Sequence, residues 1–170
     1  MPSQAPTTSQ TAAVTHYLDA QQVPYRLIEH PETFSATAEA NAAHAEPAMA
    51  GKTLLLHDRG QYSLMLLPAR HHADLPRLRY LLGGTRRLRL ATEAEMARDF
   101  PDYEVGALPP LGPSVPPVAI VDVRLLDAEE VLFAAGDHRH SIVVPIKRLL
   151  AIVEPRLADV CEVRNHIEGW

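Results

Sequence analysis

Apolar positions along the chain follow two different periods, and their order predicts the elements. Helical spacing appears first over 11–22, where Val14, Tyr17 and Leu18 share a face. Pro24 stops that helix, and 25–29 alternates like a short strand. After the His30-Pro31 turn, Ser35 or Thr37 can cap a second helix running to about Ala45, because their hydroxyls accept the first free amides. Its Ala-rich sequence has few large side chains and predicts close packing. Two apolar runs, 51–57 and 62–67, flank Asp58-Arg59-Gly60-Gln61 and read as a β-hairpin. The first of them is nearly continuous in apolar residues, as in a strand buried on both faces.

Further along, 74–82 reads as a helix stopped by Gly83-Gly84. A short strand follows at 87–90. Thr92 and Glu95 then have the spacing of a capping box for a helix reaching Phe100. Between Gly106 and Pro117 stand five prolines and two glycines, which exclude helix or central strand and predict a rigid loop. Strands at 118–122, 131–135 and 141–144 and a helix at 145–153 complete the pattern. The sum is an α+β chain with about seven short strands, whose spacing suggests a curved, barrel-like mixed sheet surrounded by helices. Residues 1–10 read as a polar tail, 11–155 as the folded domain and 156–170 as a C-terminal extension.

Composition narrows the function. A chain of 170 residues can bury a core without disulfides or a structural metal. Its single cysteine, Cys161, excludes a disulfide scaffold or a four-cysteine zinc site. It falls in a polar segment, without the buried surroundings of an active-site thiol. No apolar stretch approaches the roughly 20 residues of a membrane helix, and the N-terminus does not read as a signal peptide, so a soluble cytoplasmic chain is expected. The formal charge of −5 argues against a general electrostatic grip on duplex nucleic acid, and no DNA partner is expected. Within the basic residues, fourteen arginines stand against two lysines, Lys52 and Lys147.

No serine-hydrolase elbow, phosphate-binding loop or dinucleotide fingerprint is present. His71-His72 and His138-x-His140, with Asp137, raise the possibility of a metal-dependent hydrolase, although a pair of exposed loop histidines explains the second spacing as well. Arg77, Arg79, Arg86, Arg87 and Arg89 form either a solvated face or a local phosphate-contacting patch. Lys52 opens a strand, which sets an ammonium at the strand mouth. A lysine that protects a sheet edge is the plainer alternative. Gly106 and Gly112 leave backbone amides of the proline-rich loop able to approach a substrate, and preorganised amides stabilise charge that develops in acyl transfer.

Lys52-Thr53-Leu54-Leu55, followed by Gly106-Ala107-Leu108-Pro109-Pro110-Leu111-Gly112, resembles the YbaK/prolyl-tRNA synthetase-associated domain family, whose loop has the form G-x-x-x-P-x-G. The segment from Ala134 to Val144 falls where that family has its last strand pair. The resemblance covers about residues 11–155. It implies hydrolysis, in trans, of mischarged aminoacyl-tRNA entering by its acceptor end, with no metal or cofactor. A synthetase is a further possible partner. Lys52 would then contact the 3′-terminal nucleotide, and Gly106 and Gly112 would frame the amides that position the aminoacyl group. Phe34, Leu108, Pro110, Gly136 and Ser141 would shape the pocket. His140 and Ser141 stand where some members carry an aspartate, and a hydroxyl does not supply that charge. A catalytically idle module that binds tRNA or a synthetase is the alternative.

Overall fold

The structure, a computed structural model, describes residues 8–83 and 86–163. Helices α1 (Ser9–Ala20) and α2 (Ala36–Ala42) flank strand β1 (Arg26–Glu29). Strands β2 (Gly51–Asp58) and β3 (Gln61–Pro68) form the expected hairpin. Its two turn residues have positive φ, Arg59 at 50° and Gly60 at 78°, which suits the twist of the paired strands. Next come α3 (Leu75–Leu81), β4 (Arg89–Leu90), α4 (Glu93–Asp99) and β5 (Val118–Asp122). β6 (Glu130–Ala134), β7 (His140–Pro145), α5 (Ile146–Val153) and β8 (Arg156–Ala158) complete the chain. The caps follow the sequence: Ser35 accepts from the Ala38 amide, and Thr92 with Glu95 makes both halves of a capping box.

The architecture is mixed α+β, as expected, but the strands do not close into a barrel. They form two sheets. One is antiparallel, in the order β1-β7-β6. The other is mixed, in the order β4-β2-β3-β5-β8, with β5 parallel to both β3 and β8. A single parallel bridge, Ala50 to Leu132, links β6 to the entry of β2. The sheets meet at Gly51, where an added Cβ would stand 2.6 Å from Phe133 Cε1 and 2.7 Å from Val131 Cγ1.

The five-stranded sheet is covered on both faces. Leu55, Leu64, Leu66 and Val121 point into a core shared with Phe133, Ile142, α1 and α5. Leu56, Met65, Leu67 and Ile120 face a second core under α3. In β3 the four residues Leu64 to Leu67 are all apolar because alternate side chains enter different cores. β2 behaves so only in its second half. Lys52, Thr53 and Leu54 are half-buried rather than enclosed, because β4 pairs only with Leu56 and His57.

Two segments read as irregular are ordered. Thr8, Ser9 and Gln10, assigned to the tail, cap and begin α1. Beyond α5, β8 extends the mixed sheet, and Cys161 bridges to Ala73. The rest of the expected tail and extension, 1–7 and 164–170, lies outside the described residues, as does Gly84 of the helix stop. Among the described residues no helix is long and apolar enough to cross a membrane.

Candidate functional site

A cavity of about 320 Å³ opens beside the uncovered first half of β2. α2 and the residues before it form one wall, Gly106 and Leu108 another, and Asp137 with His138 the end. Lys52 enters it from β2. Burial holds the Lys52 ammonium below the usual lysine range, and no ion pair with a carboxylate neutralises it among the described residues. Thr53 also lines the cavity, and its hydroxyl is buried there without a hydrogen-bond partner among the described residues.

The loop is held at this position by the β6–β7 connection. Gly136 donates its amide to the Ala107 carbonyl (3.0 Å) and accepts from the Glu104 amide (2.9 Å). His138 bonds the Val105 carbonyl through Nε2 (2.8 Å), and its amide donates to the Glu104 carboxylate (3.0 Å). Gly106 turns beside it at φ +84°, a conformation that favours glycine. Phe34, 77% exposed, lies over the His138 ring with 4.9 Å between centroids.

Of the residues singled out from sequence, Lys52, Gly106, Phe34 and Leu108 come together around the cavity. The others stand behind it. Pro110 is buried in the loop, and Gly112 turns against Tyr103, whose hydroxyl donates to the Pro113 carbonyl. Gly136 acts on the loop through its backbone. Ser141 is fully buried and meets the cavity only through Glu39. Its hydroxyl bonds Glu39 Oε1 and lies 2.7 Å from His30 Nε2.

Glu39, His30 and Thr53 were not singled out by sequence. A lone acid in an Ala-rich helix predicted to pack closely was the available signal for Glu39. Burial, with a smaller push from Asp137, raises its carboxyl to about 7 against the opposing bond from Ser141.

The histidine readings change as well. His140 is not an exposed loop residue: it is 2% exposed and bonds Asp137 at 2.9 Å. Asp137 is also bonded by Thr8 and Thr11, which ties α1 to the β6–β7 connection. Among the described residues no three His, Cys, Asp or Glu side chains converge as a metal would require. Cys161 is buried rather than set in polar surroundings, and burial pushes its thiol up to about 12. Within the arginine cluster, Arg77 and Arg79 bond the backbone carbonyls of Asp159 and Leu88, and Arg89 pairs with Glu95 at 2.7 Å.

Residues 30–152 match the sequence profile of the aminoacyl-tRNA editing domain, most of the chain and all of the cavity. The chain belongs to the aminoacyl-tRNA editing domain family. No curated protein matches its sequence closely enough to add to that assignment. Among solved structures, this editing domain superposes with a TM-score of 0.79 on a protein provisionally described as a trans-editing enzyme for prolyl tRNA synthetase. The two are 28% identical, and the match covers 95% of this chain and 100% of that one. The hypothetical protein APE2540 (TM-score 0.77, 23% identity, 88% of this chain and 99% of the other) shares the fold. So does a scaffold protein from an epitope-grafting design study (0.78, 24%, 94% and 99%).

Proposed function

We propose that this editing domain is an aminoacyl-tRNA deacylase acting in trans, hydrolysing the ester of mischarged tRNA in the cytoplasm. One observation carries the reading: a half-buried lysine with no carboxylate partner among the described residues shares a small cavity with a glycine turn braced by two separate contacts. An aminoacyl ester is already activated, so its hydrolysis needs a placed water and a stabilised oxyanion rather than a protein nucleophile. Lys52 draws the phosphate of the terminal nucleotide to the cavity mouth. The amides around Gly106 and Leu108 hold the reacting carbonyl, and the bracing by Gly136 and His138 keeps them fixed during reaction. Thr53 offers its hydroxyl to a polar group of the substrate, and Phe34 covers the entrance.

Deacylation of Ala-, Ser-, Cys- and Pro-tRNA by wild type and Lys52→Ala tests this. The expected result is release of at least one amino acid by wild type and a loss of roughly 100-fold in Lys52→Ala, the scale of removing one charge-stabilising contact. Equal rates for the two proteins would remove Lys52 from the mechanism. Retention of acylated tRNA on a gel without release would instead make the chain a binding module.

A further inference from the structure

Behind the cavity wall, side chains from two distant parts of the sequence, His30 and Glu39 on one side and Ser141 on the other, join in one row of hydrogen bonds. Glu39 lines the cavity and is 7% exposed. Its Oε1 bonds the Ser141 hydroxyl, and Ser141 Oγ lies 2.7 Å from His30 Nε2. His30 Nδ1 lies 2.8 Å from the Pro31 carbonyl oxygen. Ser141 is fully buried and His30 is 5% exposed, so Glu39 is the member that meets the cavity. Antiparallel pairing of β1 with β7 builds the row, because Ile28 opposite Ser141 brings the end of β1 alongside that hydroxyl.

The Pro31 end fixes where the protons lie. A carbonyl oxygen only accepts, so His30 Nδ1 carries a hydrogen. With a neutral imidazole, Nε2 then has none and accepts from Ser141. The serine has no second hydrogen to give, and Glu39 must donate to it as a carboxylic acid. With Glu39 ionised, Ser141 donates to the carboxylate and Nε2 must donate to Ser141, which makes His30 an imidazolium. The two arrangements hold the same protons and the same total charge. They interconvert when the Glu39 hydrogen moves to Ser141 Oγ as the serine hydrogen moves to His30 Nε2.

We propose that Glu39, Ser141 and His30 are a proton relay that makes Glu39 the general base of the cavity. This rests on the deacylase reading and supplies the base that it lacks. With the relay proton on His30, the Glu39 carboxylate faces the cavity. A water gives Glu39 a proton as its oxygen bonds the ester carbonyl carbon, and the carbonyl electron pair moves onto the carbonyl oxygen. That pair returns as the bond from carbon to the ribose oxygen breaks. The ribose oxygen keeps the bonding electrons and takes the proton from Glu39. The relay ends with the protons it began with, and the released acid gives its own proton to solvent. Ser141 and His30 are positioning residues, since they reach the reacting atoms only through Glu39.

The titratable groups around Glu39 are His30 after β1, Asp137 and His138 in the β6–β7 connection, and Lys52 of β2 in the same cavity. Burial and Asp137 raise the Glu39 carboxyl to about 7, where a base works well near neutral pH.

Two measurements decide the matter. Nitrogen-15 shifts of the His30 ring in the free wild-type protein are expected to show a hydrogen on Nδ1 throughout the neutral range. Single-turnover release across pH is expected to fall roughly 100-fold or more in Glu39→Gln at every pH. Ser141→Ala, which keeps the carboxylate but cuts the relay, is expected to shift the pH profile. A His30 that carries its hydrogen on Nε2 alone, or a Glu39→Gln enzyme with the wild-type rate, would overturn the relay. The ring measurement needs neither a variant nor turnover. A wild type that releases no amino acid would therefore defeat the deacylase reading, while the His30 spectrum still judged the relay.

Discussion

Glu39 shows how one side chain links stability to chemistry. Its carboxyl sits at about 7 in the folded protein and near its ordinary 4.5 when unfolded. The folded state therefore binds the proton more tightly. Its stabilising contribution is complete below 4.5 and is lost as pH rises through 7, at a cost on the order of 3 kcal/mol. Urea unfolding of Glu39→Gln is expected to show less decline between those pH values than wild type, and parallel curves would contradict the burial argument. Lys52 and Gly106 were legible in the sequence because each belongs to a local motif. The Glu39–Ser141–His30 row was not. Its members lie 102 and 111 residues apart along the chain, and only strand register brings them together. Ser141 was noticed for the charge it lacks, whereas its hydroxyl orients a charge carried by another element.

At the scale of elements, local chemistry was a reliable guide wherever neighbours in sequence decide the structure. The Arg59-Gly60 turn, the Thr92–Glu95 capping box and the proline-rich loop stand where the residues put them. Pairings between distant segments were harder to read. β8 is three residues long with no alternating pattern of its own, and it exists because β5 offers a free edge. The contact between the two sheets likewise depends on Gly51, whose lack of a side chain lets β2 pass close to β6. Gly51→Ala forces a Cβ against Phe133 and Val131 and is expected to destabilise by about 1–3 kcal/mol, the range for overpacking a filled core. A melting temperature unchanged from wild type would show that the sheets can move apart freely.

For the whole molecule, the charge of −5 argues against a strong general attraction to nucleic acid. Of the clustered arginines, Arg89 is paired with the Glu95 carboxylate, which removes one cation from the face a duplex could use. On the proposed deacylase function, only the acceptor end enters the cavity beside β2 and the helix behind it is not gripped. Affinity for uncharged tRNA is therefore expected to depend weakly on salt, with a slope of log K against log salt shallower than about −2, the equivalent of one or two phosphates. A slope several times steeper would mean that a basic surface beyond this cavity binds the tRNA. The deacylase account itself is tested most directly by multiple-turnover release of labelled amino acid from mischarged tRNA, with the protein at low concentration. The account predicts that each wild-type molecule releases many amino acids, and that Lys52→Ala at the same concentration is slower by roughly 100-fold. Release no faster than the spontaneous decay of the ester, with wild type and variant alike, would contradict it.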